Sequence, residues 1–340
     1  ADGNARLKVI GRAMAGAPFA GRVGAGEAVR IMTGAAMPEG ADTVLMQEQV
    51  GVDGEQIVVG SGHKPGENVR RAGEDMAVGD TVLAPGKLLL PAELGVIASL
   101  GIAEVRVKRR LRVAFFSTGD ELKSLGEPLG PGQIYDSNRY TLHGMLSRLG
   151  AELLDVGVIR DDRESIRRAF REAAACADVV ITSGGVSVGE ADFVKQTLDE
   201  LGQVDFWKIA MKPGKPLAFG KVGDAVFFGL PGNPVSVMAT FYQFVQPALQ
   251  KMQGMDVAPP FTLKVPCAVA LKKQPGRLEY QRGILQPDSR GNLGVTTTGR
   301  QGSHVLSSMS KSNCFIILPA ECAGVQAGEM VEVQPFAGLV

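Results

Sequence analysis

Between residues 111 and 251 apolar strand-like runs alternate with helical stretches at intervals of about 30 residues, the spacing of βαβ units. RVAFFSTGDEL opens the series, and NRYTLHGMLSRLG (138–150) has helical spacing with Gly150 beyond its end. AELLDVGVI, RESIRRAFREAAAC (163–176), DVVITSGG and FVKQTLDELG continue it as strand, helix, strand and helix. VDFWKIA, LAFG and AVFFGLPG follow as strands, then a long helix from about 234 to 251. Runs such as DVVIT are apolar throughout instead of alternating, as a strand must be when both its faces are covered. The pattern predicts a mostly parallel sheet between two helical layers, a three-layer α/β domain.

Both flanks break that rhythm, so the chain reads as multidomain, α/β plus β. Its 340 residues allow two or three domains at roughly 150 residues each. Residues 1–80 read as β-rich, with strands at AVRIMTGA (28–35), DTVLMQEQV (42–50) and EQIVVG (55–60) between turn signals. The strand-like TVLAPG precedes an apolar helix at PAELGVIASLG (91–101). DVAPP (256–260) reads as a linker, and FTLKVPCAVAL, GVTTTG, NCFIILP and EMVEVQPF beyond it predict a small C-terminal β sandwich or barrel.

Charge and cysteine usage exclude several classes of function. Lys+Arg and Asp+Glu both number 36, so no overall basic field exists to hold nucleic acid. Cys176, Cys267, Cys314 and Cys322 include no C-x-x-C pair, which argues against a zinc site or a disulfide framework and for a reducing cytoplasm. No apolar run reaches the roughly 18 residues that would span a membrane. ADGNARLKV resembles neither a signal nor a transit peptide, and without an initiator Met it reads as a start inside a longer gene product. The basic run RVKRRLR (106–112) reads as an exposed domain junction.

Ligands of an open α/β sheet bind beyond the carboxyl ends of its strands. Three unusual loops fall there: Ser117-Thr118-Gly119-Asp120-Glu121, Thr182 to Asp192 with Ser183, Gly184, Gly185, Ser187 and Glu190, and Leu230 to Ser236 with Gly232, Asn233 and Pro234. Glycines and small hydroxyl residues leave backbone N–H groups free to approach an anion. One such loop alone would pass for an ordinary strand-to-helix turn, whereas three on one sheet edge favour a binding site. Walker A, G-x-G-x-x-G and H-E-x-x-H motifs are all absent. The segment Lys208 to Pro216 carries Lys208, Lys212 and Lys215 among prolines that stiffen it, a candidate oxyanion or phosphate cradle. Asp120, Glu121, Asp136, Asp161, Asp162, Glu190 and Asp192 face it in the sequence pattern, and carboxylates with lysines around glycine loops fit a phosphate ester held with Mg²⁺.

IMTGAAMPEGADTVLMQEQV, RRAGED, FSTGDEL, GQIYDSNRY, RDD, TSGGVSVGEAD, KPGKPLAFG, GLPGNPVS and TTTGRQGSH, in this order, resemble the molybdopterin molybdenumtransferases, which insert molybdenum in molybdenum-cofactor synthesis. The related animal module is the E domain of gephyrin, and the bacterial enzymes are the nearer likeness. The resemblance implies four parts: 1–78 a β-rich second domain, 79–108 the closing part of a dimerising first domain, 109–257 the molybdopterin-binding α/β domain, and 258–340 a barrel-like β domain. It implies a reaction in which adenylylated molybdopterin takes molybdenum from molybdate and AMP is released. It assigns Thr33, Asp75, Glu121, Asp161, Asp192, Lys208 and Lys212 to the cleft, with Glu121 and Asp192 on the metal, and Lys212, Lys215, Arg282 and Ser303 to molybdate. The substrate-binding loops would supply Ser117, Gly119, Asp120, Ser183, Gly184, Gly185, Ser187, Gly232, Asn233 and Pro234.

The resemblance also implies a homodimer, in which the second domain of one chain completes the cleft of the other, and contact with the molybdopterin adenylyltransferase. In the family a further segment with a Met-Asp-Gly-Tyr-Ala stretch precedes this start, so a polypeptide beginning at Ala1 is expected to be mainly monomeric and inactive. Two other readings share these residues: the adenylyltransferase itself, which the flanking β domains disfavour, and a non-catalytic molybdopterin-binding scaffold, which the charged cleft residues disfavour.

Overall fold

The chain divides into two units, Ala1–Ala84 and Pro85–Val340, and the computed structural model describes residues 4–185 and 193–336. In the first unit β1 (Ala5–Ala13), β2 (Glu27–Ile31), β3 (Val50–Asp53) and β4 (Gln56–Val59) form one sheet in the order β2-β1-β4-β3. A two-residue turn joins β3 to β4, and Gly54 holds φ 62° at its first position, where a II′ hairpin turn takes glycine. The strand expected over 42–50 does not form before Val50. Its backbone is tied to the 63–68 loop, with Val44 N donating to Glu67 O (2.9 Å) and Gly66 N to Asp42 O (3.1 Å), and it ends in a 3₁₀ turn at Gln47–Gln49. TVLAPG is irregular as well. The Asp80 carboxylate just before it accepts from Ala77 N at 2.8 Å and closes a local turn in place of a ladder.

The second unit starts with α1 (Pro91–Ser99), then β5 (Arg112–Thr118), the short β6 (Leu122–Lys123) and β7 (Ile134–Tyr135), α2 (Ser137–Arg148) and β8 (Glu152–Ile159). Next come α3 (Arg163–Cys176), β9 (Val179–Ser183), α4 (Phe193–Leu201), β10 (Gly202–Lys208), β11 (Met211–Lys212), β12 (Pro216–Val222) and β13 (Ala225–Leu230). The main sheet runs β10-β12-β13-β9-β5-β8. Side chains alternate between its two faces. Val113 and Phe115 of β5 meet α2, while Ala114 and Phe116 meet Ile166 and Phe170 of α3. The three layers are those the sequence predicts, but only the pairings among β13, β9, β5 and β8 are parallel. β10, β12 and β13 form an antiparallel meander. Gly223-Asp224 is the physical reason, because a two-residue turn can join only antiparallel neighbours.

The expected long helix is continuous but not uniform: α5 (Pro234–Thr240), a π-turn (Phe241–Val245) and α6 (Gln246–Met252). Pro247 has no N–H to give the Gln243 carbonyl, and the wider turn accommodates that loss. β14 (Leu263–Pro266), β15 (Leu271–Lys272), β16 (Leu278–Pro287), β17 (Leu293–Thr297), α7 (Ser307–Lys311), β18 (Cys314–Leu318), β19 (Gly324–Val325) and β20 (Met330–Pro335) complete the chain. The C-terminal sheet runs β11-β16-β18-β20-β14 with β17 on β16. Its barrel-like character extends to a single bridge, Cys267 to Val295, with Ala268 N donating to Val295 O at 2.8 Å.

Beyond DVAPP, one face of the C-terminal sheet shares a core with the α/β part, while the other covers a core of its own around Val265, Cys267, Val295, Ile316 and Val333. Tyr280, Phe315 and Phe336 of the C-terminal part belong to the same buried cluster as Phe241, Tyr242 and Val245. The rings form a ladder, with centroids 6.4 Å apart for Tyr242–Phe336, 4.8 Å for Phe315–Phe336 and 5.6 Å for Tyr280–Phe315. Gln243 Nε2 donates to Gln334 Oε1 (2.9 Å) across the same seam. The cysteines are free, with Cys267 and Cys314 buried and Cys176 exposed.

Phe315 is fully buried in the ladder, so Phe315→Ala should cost about 3–5 kcal/mol, read from denaturant unfolding. Hydrogen exchange should rise in β13 and β18 together; loosening of β18 alone would show that the cores are independent.

Candidate active cleft

β13, β9 and β5 are adjacent and parallel, so their carboxyl ends share one edge of the sheet. β10 runs in the same direction, being two antiparallel steps from β13, and the Lys208–Pro216 connection therefore emerges at that edge too. β8 brings Asp161 and Asp162 there from the far side. The strand order thus places lysines at one side, carboxylates at the other and the glycine loops between. Four strand spacings separate β10 from β5 and five separate it from β8, about 20 to 24 Å at 4.8 Å per strand.

The glycine loops lie on one another. Gly184 and Gly185 hold φ +89° and +66°, and a Cβ on them would sit 2.8 Å from Thr118 O and 2.5 Å from Val194 Cγ2. Only glycine lets the second loop settle against the first. Gly184 N donates to Leu230 O at 3.1 Å, which ties the second loop to the third. Asn138, in the first turn of α2, donates from Nδ2 to Ser183 Oγ (2.9 Å) and to Gly232 O (2.7 Å). Sequence reasoning missed Asn138; the signal was an Asn one residue inside a helix that Asp136 already caps by accepting from Arg139 N at 3.1 Å. Ser117, Thr118, Thr182 and Ser183 are buried at the strand ends. Asn233 is the N-cap of α5 with Pro234 after it, and Val235 N donates to Ser303 O at 3.1 Å. That bond brings Ser303, from the C-terminal part, to the third loop.

The carboxylates crowd one another. Asp161 N donates to Asp120 Oδ1 at 3.2 Å. Glu121 folds back over Gly119, whose Cβ would lie 2.5 Å from Glu121 Oε2. Partial burial first, and then the charges of Asp120, Glu121 and Asp162, raise the Asp161 carboxyl above its usual 3.8. Asp162 is a helix cap, lowered by the hydrogen bond it accepts from Ser165 N. Among the described residues no three His, Cys, Asp or Glu side chains converge as a metal site. Ser187, Glu190 and Asp192 lie outside the described residues.

Lys208 and Lys215 are exposed, and no side-chain partner of Lys215 occurs among the described residues. Gly214 holds the intervening turn close against α5, since a Cβ there would sit 2.5 Å from Thr240 Oγ1. β11 leaves the main sheet and pairs with β16, Lys212 opposite Glu279. Lys212 Nζ donates to Glu279 Oε1 at 3.1 Å. Arg282 is 1% exposed. Its Nε donates to Ser308 Oγ (3.0 Å) and its Nη2 to Gly302 O (3.1 Å). Burial pushes this guanidinium down to about 10, and the Glu279 charge opposes the shift. Gln301 clamps the Arg282 backbone through its N–H (2.7 Å) and its carbonyl (3.0 Å). Glu279 and Gln301 were not legible as site residues, because their role depends on which strand lies opposite. Thr33 and Asp75 belong to the first unit, Thr33 in the turn after β2 and Asp75 at an exposed bend.

A carboxyl raised on folding holds its proton more readily folded than unfolded, so its charge destabilises the fold as pH rises above 3.8. Asp161→Asn should therefore melt above the parent at pH 7. The gap should close as pH falls toward 4, and scanning calorimetry across that range checks it.

Three family models match in chain order: "MoeA N-terminal region (domain I and II)" over residues 1–101, "Probable molybdopterin binding domain" over 114–251, and "MoeA C-terminal region (domain IV)" over 264–336. The molybdopterin molybdenumtransferase of Haemophilus influenzae is 50% identical, over 98% of this chain and 83% of its own length. That of Nostoc is 37% identical, over 91% of this chain and 72% of its own. The crystal structure of the molybdopterin biosynthesis moeA protein from Pyrococcus horikoshii superposes with a TM-score of 0.81 at 30% identity, covering 98% of this chain and 81% of that one. Gephyrin of Dictyostelium discoideum is 35% identical over 89% of this chain and 47% of its own length. The likeness therefore takes in both flanking domains as well as the α/β domain, and the chain belongs to the molybdopterin molybdenumtransferase family.

Proposed function

We propose that the chain transfers molybdenum from molybdate to adenylylated molybdopterin, with release of AMP, in molybdenum-cofactor synthesis in the cytoplasm. The observation that carries this reading is the strand order, which sets a lysine cradle and a carboxylate group on either side of glycine loops at one sheet edge. The loops of Ser117 and Gly119, of Ser183, Gly184 and Gly185, and of Gly232, Asn233 and Pro234 would bind the pterin and its phosphates through free backbone N–H groups. Asn138 would hold two of these loops in register. Lys212, Lys215, Arg282 and Ser303 would bind molybdate, since a tetrahedral dianion calls for cationic and hydroxyl donors. Lys208 would add charge where the phosphoanhydride breaks.

A divalent cation would draw on these carboxylates, no three of which converge among the described residues. Asp120, Glu121 and Asp161 have no cationic side chain within 4.0 Å among the described residues, and Asp161 is raised first by partial burial and then by the neighbouring carboxylates. Glu121 and Asp192 would hold Mg²⁺, which when bound neutralises developing phosphate charge. Thr33 and Asp75 would act from the second domain of a partner chain.

A homodimer is part of this proposal. α1 buries none of its nine residues, and Leu88, Leu90, Leu94, Leu100 and Ile102 around it are exposed. A second copy of the chain would cover this apolar stretch. In a polypeptide that also carries the family's preceding segment, Leu94→Asp with Leu100→Asp should then move the sedimenting species from dimer to monomer. An unchanged species would remove α1 from the interface.

Lys215→Ala tests the cradle. Loss of one charge-assisted hydrogen bond, about 1.5–3 kcal/mol, corresponds to about tenfold to 100-fold in molybdenum transfer at limiting molybdate. Melting should stay unmoved, because Lys215 is exposed. Lys212→Ala should lose activity and some stability, because it leaves the buried Glu279 carboxylate to Gln281 alone. Wild-type turnover of Lys215→Ala at limiting molybdate would refute the cradle.

A further inference from the structure

A buried acid next to a candidate anion site needs an explanation, because its charge opposes the ligand. Glu279 is 5% exposed. Its carboxylate Oε1 accepts from Lys212 Nζ (3.1 Å) and from Gln281 Nε2 (3.1 Å). Gln281 is held in turn by donating to Lys272 O at 3.0 Å. Lys212 is about half exposed, so the pair has one dry end and one wet end. Burying such a pair does little for stability, since an apolar pair of similar volume serves as well or better. Its worth must lie in where it puts the lysine and in the charge it adds.

Both follow from the register of β11 on β16. Glu279 stands directly opposite Lys212 and fixes the direction of a long, four-torsion side chain that would otherwise sample many rotamers. Three residues apart on β16, Glu279 and Arg282 project to opposite faces of the sheet, so Glu279 reaches Arg282 through its charge alone. Lys212, Lys215 and Arg282 carry three positive charges and Glu279 one negative, which leaves two, the charge of a tetrahedral dianion.

We propose that Glu279 is a positioning and affinity-setting residue of the oxyanion cradle: it aims Lys212 and lowers the field of the three cations so that the dianion is bound but can be surrendered. This rests on the reading that Lys212, Lys215 and Arg282 take up molybdate. Without the carboxylate the site holds one charge too many, binds the oxyanion too tightly and gives up molybdenum slowly. A residue that served only to support the fold would weaken binding when replaced.

The test is calorimetric titration of sodium molybdate into the full chain, with thermal melting and turnover measured in parallel. Glu279→Gln keeps shape and acceptor but removes the charge; molybdate affinity should rise about tenfold while turnover at saturating molybdate falls. Glu279→Asp keeps the charge and should stay within about threefold of the parent in affinity. Equal or weaker affinity in Glu279→Gln overturns the inference. Should that variant fail to fold, Gln281→Leu is the second probe. It leaves the carboxylate to Lys212 alone, drawing the lysine back, and affinity should fall about threefold; no change there overturns the proposal as well. A parent chain that binds no molybdate while Lys215→Ala also keeps full turnover would instead overturn the cradle reading, and this inference with it.

Discussion

The second unit depends on a seam of aromatic rings. Phe241 and Tyr242 on the π-turn meet Phe336, Phe315 and Tyr280 on the C-terminal sheet in one buried cluster. Aromatic side chains bury large areas and stack in preferred tilts, so this contact is strong and orientationally narrow. It holds β16 where β11 can pair with it. The lysine segment is thereby shared between two sheets, running out of the main one at Lys208 and back into it at Pro216, with Lys212 on the other sheet between. Without the seam, the cations from the α/β part and those from the C-terminal part would have no fixed relation.

Charge is sorted by strand order, not by sequence order. Lysines enter through the antiparallel meander β10-β12-β13, and carboxylates through β5 and β8 at the opposite flank. Between them lie turns where glycine is obligatory, because Thr118 and Val194 occupy the space a side chain would need. Carboxylates gathered in a partly buried place are costly to the fold, as the Asp161 raised by burial and by its acidic neighbours shows.

Much of this was legible in the chain. α3 runs from Arg163 to Cys176 as its periodicity indicates, and the apolar VVIT of DVVIT lies in the fully buried β9, Val179–Ser183. The three loops could be placed at one edge because parallel strands put their carboxyl ends together. Asn138, Glu279 and Gln301 were not legible, for a common reason. Each acts on a residue far along the chain: Asn138 on Gly232, Glu279 on Lys212, and Gln301 on Arg282. The 42–50 segment was misread because β-propensity cannot foresee that a neighbouring loop will take its backbone hydrogen bonds.

By itself the sequence determined which stretches could be helix or strand, how many layers they make, and where glycines free the backbone. These are local properties of periodicity, turn chemistry and φ, and they are written residue by residue. The Gly223-Asp224 turn belongs with them, although its consequence, an antiparallel edge, shows only once neighbours are paired. Tertiary structure decided the rest: that one face of the sheet beyond DVAPP packs into the α/β core while the other keeps its own, that Lys212 faces a buried carboxylate, and that Arg282 is enclosed without a carboxylate bridging it among the described residues. Those outcomes depend on which distant surfaces pack, an energy summed over many side chains that no single stretch of sequence records.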